Sequence, residues 1–430
     1  MSAMAEKQCL LIVGASGRSA AQRASLLGME VIAIDQFGDR DLQAIAQVHS
    51  LHSVLDNHES TWQSWCEAHL TLPPFNRCQP PMLLPLSKRY QVPLLLCGGV
   101  ENRADVIGWF TRSGLACGMK PEMLAALRSP EAWRRWAMTS GLMWPETLFH
   151  VPATVPASPQ VLGISNLEPS GAWLIKSRSG AGGLGVRKFA GEPPQASEYL
   201  QRSIAGEVLG VTFVNVEDRS HIAGCMKSWT EDAFWGPMPF IYRGSVGPIP
   251  LSVDEQEILL NFANIVRAAT GLQGIWQADF VRNQKGWWLL EINPRWSGSM
   301  ELLEVAYGIS LVAQHVAAVS GRRHSAMSTI DWNEHSMRCR APIGCTIGKV
   351  VRYARSELTP DHAMLERWWS ARWDGTAASL VDGNRLADIP GEATTIPFGY
   401  PVCTEYAVGG SIEEVTDRLQ RSVISMTLAT

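Results

Sequence analysis

Residues 278–295 read Ala-Asp-Phe-Val-Arg-Asn-Gln-Lys-Gly-Trp-Trp-Leu-Leu-Glu-Ile-Asn-Pro-Arg. Two apolar runs flank Asn283–Gly286, a polar tetrapeptide ending in Gly, which is the composition of a turn between two strands. A hairpin brings Asp279 on the first strand and Glu291 on the second to one place. Asn293 lies two residues beyond Glu291, so on a strand it points to the same face. Two carboxylates and an amide oxygen make an all-oxygen site of the kind that suits Mg²⁺, which takes few protein oxygens together with substrate phosphates. Arg295 then faces phosphate oxygens or a developing acyl phosphate. Solvated acids on a surface hairpin explain poorly why Glu291 and Asn293 stand in a Trp/Leu/Ile run where burial is expected.

Upstream, the apolar strand Trp173-Leu174-Ile175 ends in Lys176, and Ser177-Arg178-Ser179-Gly180-Ala181-Gly182-Gly183-Leu184-Gly185-Val186 follows. Glycine lets backbone N–H groups come close to phosphates, so Gly180, Gly182, Gly183 and Gly185 are candidate phosphate contacts, with Lys176 supplying point charge. The segment is not a Walker A loop, since the G-x-x-x-x-G-K-[ST] spacing is absent. Alone it is equally a mobile turn. A third segment, Leu200-Gln201-Arg202-Ser203-Ile204-Ala205-Gly206-Glu207, leads into the strand Val211–Val214; Gln201 and Ile204 could offer backbone groups to an adenine edge, and an ordinary strand start reads the same way.

These segments, in this order, resemble the ATP-grasp superfamily, whose members carry a strand lysine, a Gly-rich lid, a hinge, then an acid and an E-x-N-P-R sequence on neighbouring strands. The resemblance runs from about residue 120 to 320. Arg128-Ser129-Pro130 and Gly141-Leu142-Met143-Trp144-Pro145-Glu146-Thr147 resemble the segment that leads into that domain, which makes Arg128 a nucleotide contact by resemblance. Phe240–Pro248, with Arg243, and the tail from Asp388-Ile389-Pro390 through Pro401-Val402-Cys403-Thr404 look like a subgroup of ligases related to biotin carboxylase; Arg243 is assigned there to the substrate side. At the hinge Arg202 stands where many members have Glu, and Glu207 is the acid left for a ribose. The resemblance implies ATP and Mg²⁺ as cofactors, small-molecule carboxylate and amine substrates, and, for the subgroup, amino-acid addition in cofactor biosynthesis. Carboxylation through carboxyphosphate stays open beside it.

The start of the chain reads β-α-β: Cys9–Val13, then Ala20–Leu27, then Val31–Ile34, which implies parallel strands and a right-handed crossover. Gly14-Ala15-Ser16-Gly17 follows the first strand, and Asp35 ends the second. That spacing suits a dinucleotide loop or a packing turn; the ATP-grasp resemblance implies instead a loop that helps bind the acceptor substrate, which makes Ser16 a substrate candidate. Val92–Cys97 is a further strand, and Gly98-Gly99-Val100-Glu101-Asn102-Arg103 follows it at a strand end of the kind that borders ligand crevices, which makes Glu101 and Asn102 substrate candidates. Helices are expected over Asp105–Ser113, in the 120–140 region, over 255–269, over 299–318 and over Ile412–Val423, and strands at Gly348–Tyr353, Ala378–Val381 and Val402–Tyr406. The runs at 73–85 and 151–170 read as Pro-rich loop and linker. The fold class is thus mixed α/β and α+β: a Rossmann-like domain over 1–118, an ATP-grasp domain over 119–325 and a β-rich segment over 326–430.

Composition is that of a globular chain: 46% apolar, 18% charged, net charge −4. No Lys/Arg run suggests nucleic acid, and no apolar run is long enough for a membrane span. Nine scattered cysteines without a C-x-x-C fit a reducing, cytoplasmic setting. A homodimer is the default expectation. The expected activity is amide formation from a carboxylate, through an acyl phosphate, and an amine. The rivals are a nicotinamide-dependent oxidoreductase built on the Gly14 loop, which leaves 279–295 unexplained, and a non-catalytic nucleotide sensor.

Overall fold

The computed structural model describes residues 8–51, 92–112, 116–149, 172–229, 239–321, 330–341, 344–381 and 383–427; the loop and linker expected at 73–85 and 151–170 lie outside them. The opening strands β1 (Cys9–Gly14) and β2 (Glu30–Asp35) flank helix α1 (Arg18–Leu26). They are joined by α2 (Arg40–Gln43), β3 (Gln47–Ser50), β4 (Val92–Leu96), α3 (Ala104–Arg112) and β5 (Ala116–Cys117). The five strands form a parallel sheet in the order β3-β2-β1-β4-β5. The buried run of β1 suits a central strand covered on both faces. The order reverses between β1 and β4, so the loops after them diverge and open a crevice. Ala15 N donates to Gly98 O at 2.6 Å and holds the two loops together.

Helices α4 (Pro121–Leu127) and α5 (Pro130–Ser140) both start on Pro, where the missing N–H costs nothing; Ser129 caps α5 and Gly141 ends it in the left-handed region. A four-stranded antiparallel sheet follows, ordered β6 (Thr147–Leu148), β9 (Glu198–Arg202), β7 (Trp173–Ser177) and β8 (Val186–Lys188).

The third sheet is antiparallel and eight-stranded: β14 (Gly286–Asn293), β13 (Gly274–Asn283), β10 (Glu207–Val216), β11 (Arg219–Ser228), β12 (Gly244–Gly247), β15 (Thr346–Tyr353), β17 (Pro401–Gly409) and β16 (Arg385–Ala387), in that order. The strands of the last hundred residues therefore extend the same sheet as the Asp279/Glu291 hairpin, through the short β12. Helix α6 (Val253–Thr270) packs on the hairpin half. Its start is a capping box, with Ser252 and Glu255 bonding each other's backbone N–H, and Gly271 closes it. Phe262 on α6 meets Phe213 and Phe280 edge-on, and Phe213 stacks on Trp276 at 4.5 Å. One apolar cluster runs from Leu11, Val13 and Leu94 of the parallel sheet to Phe262 and Trp276, so the two sheets are packed as one body.

Two expectations change. The helix expected over 299–318 is two helices, α7 (Met300–Tyr307) and α8 (Leu311–Ser320), bent by 109°. Gly308 caps the first in the left-handed region and Ser310 caps the second. The strand expected at Ala378–Val381 is a 3₁₀ turn over Ala378–Leu380; a four-residue run is too short for periodicity to separate the two. Helices α9 (Trp332–Arg338), α10 (His362–Ser370) and α11 (Ile412–Thr427) complete the chain, with Val415 and Leu419 of α11 packed on Val246, Val350 and Ala407 of the sheet. Among the described residues no single helix is long and apolar enough to cross a membrane.

At Gly14 the two crevice strands approach too closely for any side chain. A Cβ there would lie 2.6 Å from Cys97 Cβ and 2.7 Å from its carbonyl carbon, so β1 and β4 would have to separate. Gly14→Ala is expected to cost about 1–3 kcal/mol, as overpacking does, and to lower the urea unfolding midpoint; an unchanged midpoint would show that the strand ends are slack.

Candidate functional site

The hairpin β13–β14 pairs Asp279 with Glu291 and Gln277 with Asn293, and a register shift after Asp279 lets the pair share one face. Asn293 Nδ2 donates to Asp279 Oδ2 at 2.8 Å and to Glu291 Oε1 at 3.2 Å, and Gln277 Nε2 donates to Asp279 Oδ1 at 2.7 Å. Asn293 thus presents its amide nitrogen to the carboxylates. Its oxygen accepts from Arg295 Nη2 at 3.0 Å and does not join the carboxylates as a third oxygen; two buried carboxylates need a donor, and the amide supplies it. Burial and the adjacent Glu291 charge push Asp279 up to about 7. Burial works against the Glu291 charge as well, but Arg128 and Lys176, with Asn293, outweigh it and hold Glu291 below the usual carboxylate range. Near neutrality the pair therefore competes for one proton, which is the condition in which a bound cation is favoured.

Lys176, next to last on β7, reaches over this hairpin. Its Nζ donates to Gln201 Oε1 at 3.1 Å and to Leu290 O at 3.3 Å, and Gln201 Nε2 in turn donates to Thr147 Oγ1 at 3.2 Å. Arg128 ties three segments together: Nη1 to Ile292 O at 3.0 Å, Nη2 to Gly180 O at 2.6 Å and Nε to Asn102 Oδ1 at 3.0 Å. Asn102 Nδ2 donates to Ser179 O at 2.6 Å, so Asn102 fastens the Gly-rich loop to the parallel sheet. That loop rests against residues 240–242: Tyr242 N donates to Gly182 O at 3.0 Å. Gly183 has a positive φ, and a Cβ on it would collide with the Phe240 carbonyl.

Arg295 is locked from every side. Nε donates to Glu101 Oε1 at 2.6 Å, Nη1 to Ser297 Oγ at 2.9 Å and Trp296 O at 3.2 Å, and Nη2 to Asn293. Glu101 is fully buried and lies outside the cleft lining; it is the counter-ion of Arg295. Trp296 N donates to Leu96 O at 2.8 Å, a second link from the hairpin to β4.

A cleft of about 600 Å³ collects these groups, the size of a small-molecule site. Ser16, Arg128, Lys176, Gly180, Gly182, Gly183, Gln201, Ile204, Asp279, Glu291, Asn293 and Arg295 all line it. Four expected residues besides Glu101 do not. Asn102 is the loop clamp just described. Gly185 faces Ser177, where a Cβ would come within 2.9 Å of the Ser177 Cβ. Arg243 is buried at 2% exposure. Glu207 is paired with Arg282 at 2.8 Å and Lys227 at 3.2 Å. Arg282 also pairs with Glu255 of α6, so Glu207 is committed to the helix-covered side of the sheet.

The cleft also holds charges that no motif signals. Lys349 on β15 donates to Glu301 Oε1 at 2.6 Å, and Arg18 donates to Glu301, Tyr406 and Asp388. Arg18, Lys349, Asp39, Asp388 and Tyr242 line the end of the cleft formed by the C-terminal strands and the first sheet. The non-Gly positive φ of Asp388 (55°) is a local oddity, but the sequence carries no sign of it.

Removing Glu101 strands a buried guanidinium. Glu101→Ala is expected to destabilise the chain by about 3–5 kcal/mol and Glu101→Gln by distinctly less, measured by urea unfolding, since a buried ion pair that loses one partner leaves an uncompensated charge.

Residues 146–299 match the family model described as an ATP-grasp domain. Solved structures share the fold over nearly the whole chain. The biotin carboxylase domain of 2-oxoglutarate carboxylase from Hydrogenobacter thermophilus, in complex with MgADP, ADP and bicarbonate, is 10% identical with a TM-score of 0.63, covering 97% of this chain and 89% of that one. N5-carboxyaminoimidazole ribonucleotide synthetase from Thermotoga maritima is 13% identical with a TM-score of 0.60, covering 96% and 97%. L-amino acid ligase from Bacillus licheniformis is 13% identical with a TM-score of 0.61, covering 98% of each chain. No curated protein matches the chain by sequence.

Proposed function

We propose, from the premise that residues 146–299 are an ATP-grasp domain, that this chain is an ATP-dependent ligase joining a carboxylate to an amine. The observation that carries the reading is the gathering of Asp279, Glu291, Lys176, Arg128 and Arg295 in one cleft. A triphosphate needs a metal-holding acid pair and fixed positive charge on opposite sides, and phosphoryl transfer is catalysed mainly by such positioning.

The acid pair suits a divalent cation on chemical grounds. Asp279 and Glu291 are buried side by side, and burial, with the Glu291 charge next to it, pushes Asp279 up to about 7. Asp279 and Glu291 would hold Mg²⁺, which would supply positive charge to offset the negative charge of the phosphates. Lys176 and Arg128 would hold the phosphates, with the Gly-rich loop over them excluding water. Arg295, rigid on Glu101, would meet the carboxylate that is to be activated. In the reaction a carboxylate oxygen bonds to the γ-phosphorus as ADP leaves. The amine nitrogen then bonds to the acyl carbon as the C–O bond to phosphate breaks, and the nitrogen loses a proton. Gln201 would act by steadying Lys176 through its side chain, and the 201–204 backbone is the part that suits an adenine edge. We further propose that the amide belongs to small-molecule or cofactor biosynthesis in the cytoplasm, and that the chain works as a homodimer. Two of the similar structures carry carboxylation chemistry in their names, so bicarbonate belongs among the acids tested.

An ADP-release screen of amino acids and amines, with bicarbonate included, tests the activity. Glu291→Gln and Lys176→Ala are each expected to lower turnover by about a hundredfold or more, as loss of a transition-state charge partner does. Normal turnover by Glu291→Gln at saturating Mg²⁺ and ATP would count heavily against the assignment.

Trp133 and Trp296 line the cleft, and Trp133 lies 5.5 Å from the Arg128 guanidinium. Tryptophan emission is expected to change on titration with Mg–ATP and to stay flat with NADPH. The opposite pattern would favour the oxidoreductase reading.

A further inference from the structure

The cleft continues past Arg295 to an acidic end at the loop after β2. Each acid there except one is engaged. Asp35 accepts from the backbone N–H groups of Gly17 at 2.6 Å, Phe37 at 2.9 Å and Gly38 at 2.8 Å. Asp41 accepts from Asp388 N at 2.9 Å and Ile389 N at 3.0 Å, and Asp388 takes Arg18 Nε at 2.8 Å. Arg18 spends its remaining N–H groups on Gln22, Glu301 and Tyr406.

Asp39 is the exception. It precedes the short α2 without capping it, and among the described residues its side chain makes no hydrogen bond or ion pair. It is only 7% exposed, and that small remainder opens on the cleft it lines. A buried carboxylate without a donor is costly and persists where a ligand supplies the missing partner. Burial, with Asp388, Asp41 and Asp35 close by, pushes its carboxyl well above the usual range. Both oxygens of Asp35 and of Asp41 are spent on backbone N–H groups and Asp388 on Arg18, which leaves Asp39 a single open acid and favours a hydrogen-bonding organic cation over a metal ion. Phe37, 42% exposed, stands beside Asp39 in the cleft wall and offers an apolar face to an alkyl chain.

We propose that Asp39 anchors a protonated amino group of a substrate, so that one of the two molecules joined here is a cationic amine held where Phe37, Asp39 and Asp388 line the cleft. The proposal rests on the ligase reading for its role in the reaction but not for the binding itself. Because every other acid in the group is already satisfied, Asp39 is the position where cation selectivity resides.

The full-length protein, without nucleotide at pH 8, is titrated with 1,4-diaminobutane and with 1-butanol, followed by tryptophan fluorescence or calorimetry. The diamine is expected to bind and the alcohol not. Asp39→Asn is expected to weaken diamine binding at least tenfold, with an unfolding midpoint equal to or above the wild type and an unchanged Kd for Mg–ATP. Asp39→Ser serves as a second variant if the first is poorly folded. Wild-type diamine affinity in both variants, equal binding of the alcohol, or displacement of the diamine by submillimolar Mg²⁺ in an Asp39-dependent manner would each overturn the proposal. Failure of the wild type to bind Mg–ATP would overturn the ligase reading instead and leave the diamine result standing.

Discussion

The Arg295–Glu101 ion pair joins two bodies of structure that the chain builds separately. Glu101 comes from the loop after a strand of the parallel sheet, and Arg295 from the end of the hairpin that carries the acid pair. Neither charge tolerates the interior alone, since desolvation of an isolated ion costs several kcal/mol. Packed together they make the cleft a property of the seam between sheets. Arg128 repeats the arrangement on a smaller scale, with one bond each to the hairpin, the Gly-rich loop and Asn102. The guanidinium groups are therefore structural joints first, and their remaining faces line a space already held at fixed width.

Much of this was readable in the sequence, because the relevant signals are local. The amphipathic spacing over 255–269 finds the body of α6, and the Asn283–Gly286 turn places the hairpin, although the turn's own register sets Asp279 opposite Leu290 and only the register shift after Asp279 brings Glu291 there. Lys176 follows from its place at the end of an apolar strand. Where the reading failed, a rule was available but unused. Leu209, Val211 and Phe213 of β10 share a core with Phe262 of α6, and strand alternation puts Glu207 on their side, away from the cleft. Gly308 followed by Ser310 is a helix stop and a helix start within three residues, which splits the expected helix.

Other features had no local signal. Arg18, Glu301, Lys349, Asp388 and Tyr406 come from five segments up to 388 positions apart, and each looks like an ordinary polar residue in its own segment. Their meeting depends on sheet order, and single-sequence periodicity says nothing of that. The same applies to Asn293: a strand pattern gives the face of its side chain but not which end of the amide turns toward the acids. Hydrogen-bond demand in the assembled site decides it.

The eight-stranded sheet passes from its hairpin half to its C-terminal half through β12, which is only four residues long. Such a narrow bridge makes the last hundred residues inseparable from the rest in engineering terms. A fragment cut before β15 would bare the edge of β12, where unpaired N–H and C=O groups invite pairing between chains. It would also take Lys349 and Tyr406 away from Glu301, leaving that buried carboxylate only the Arg18 contact. Trimming the gene to the stretch that carries the phosphate-side residues would thus yield a sticky, charge-imbalanced product rather than a smaller working unit.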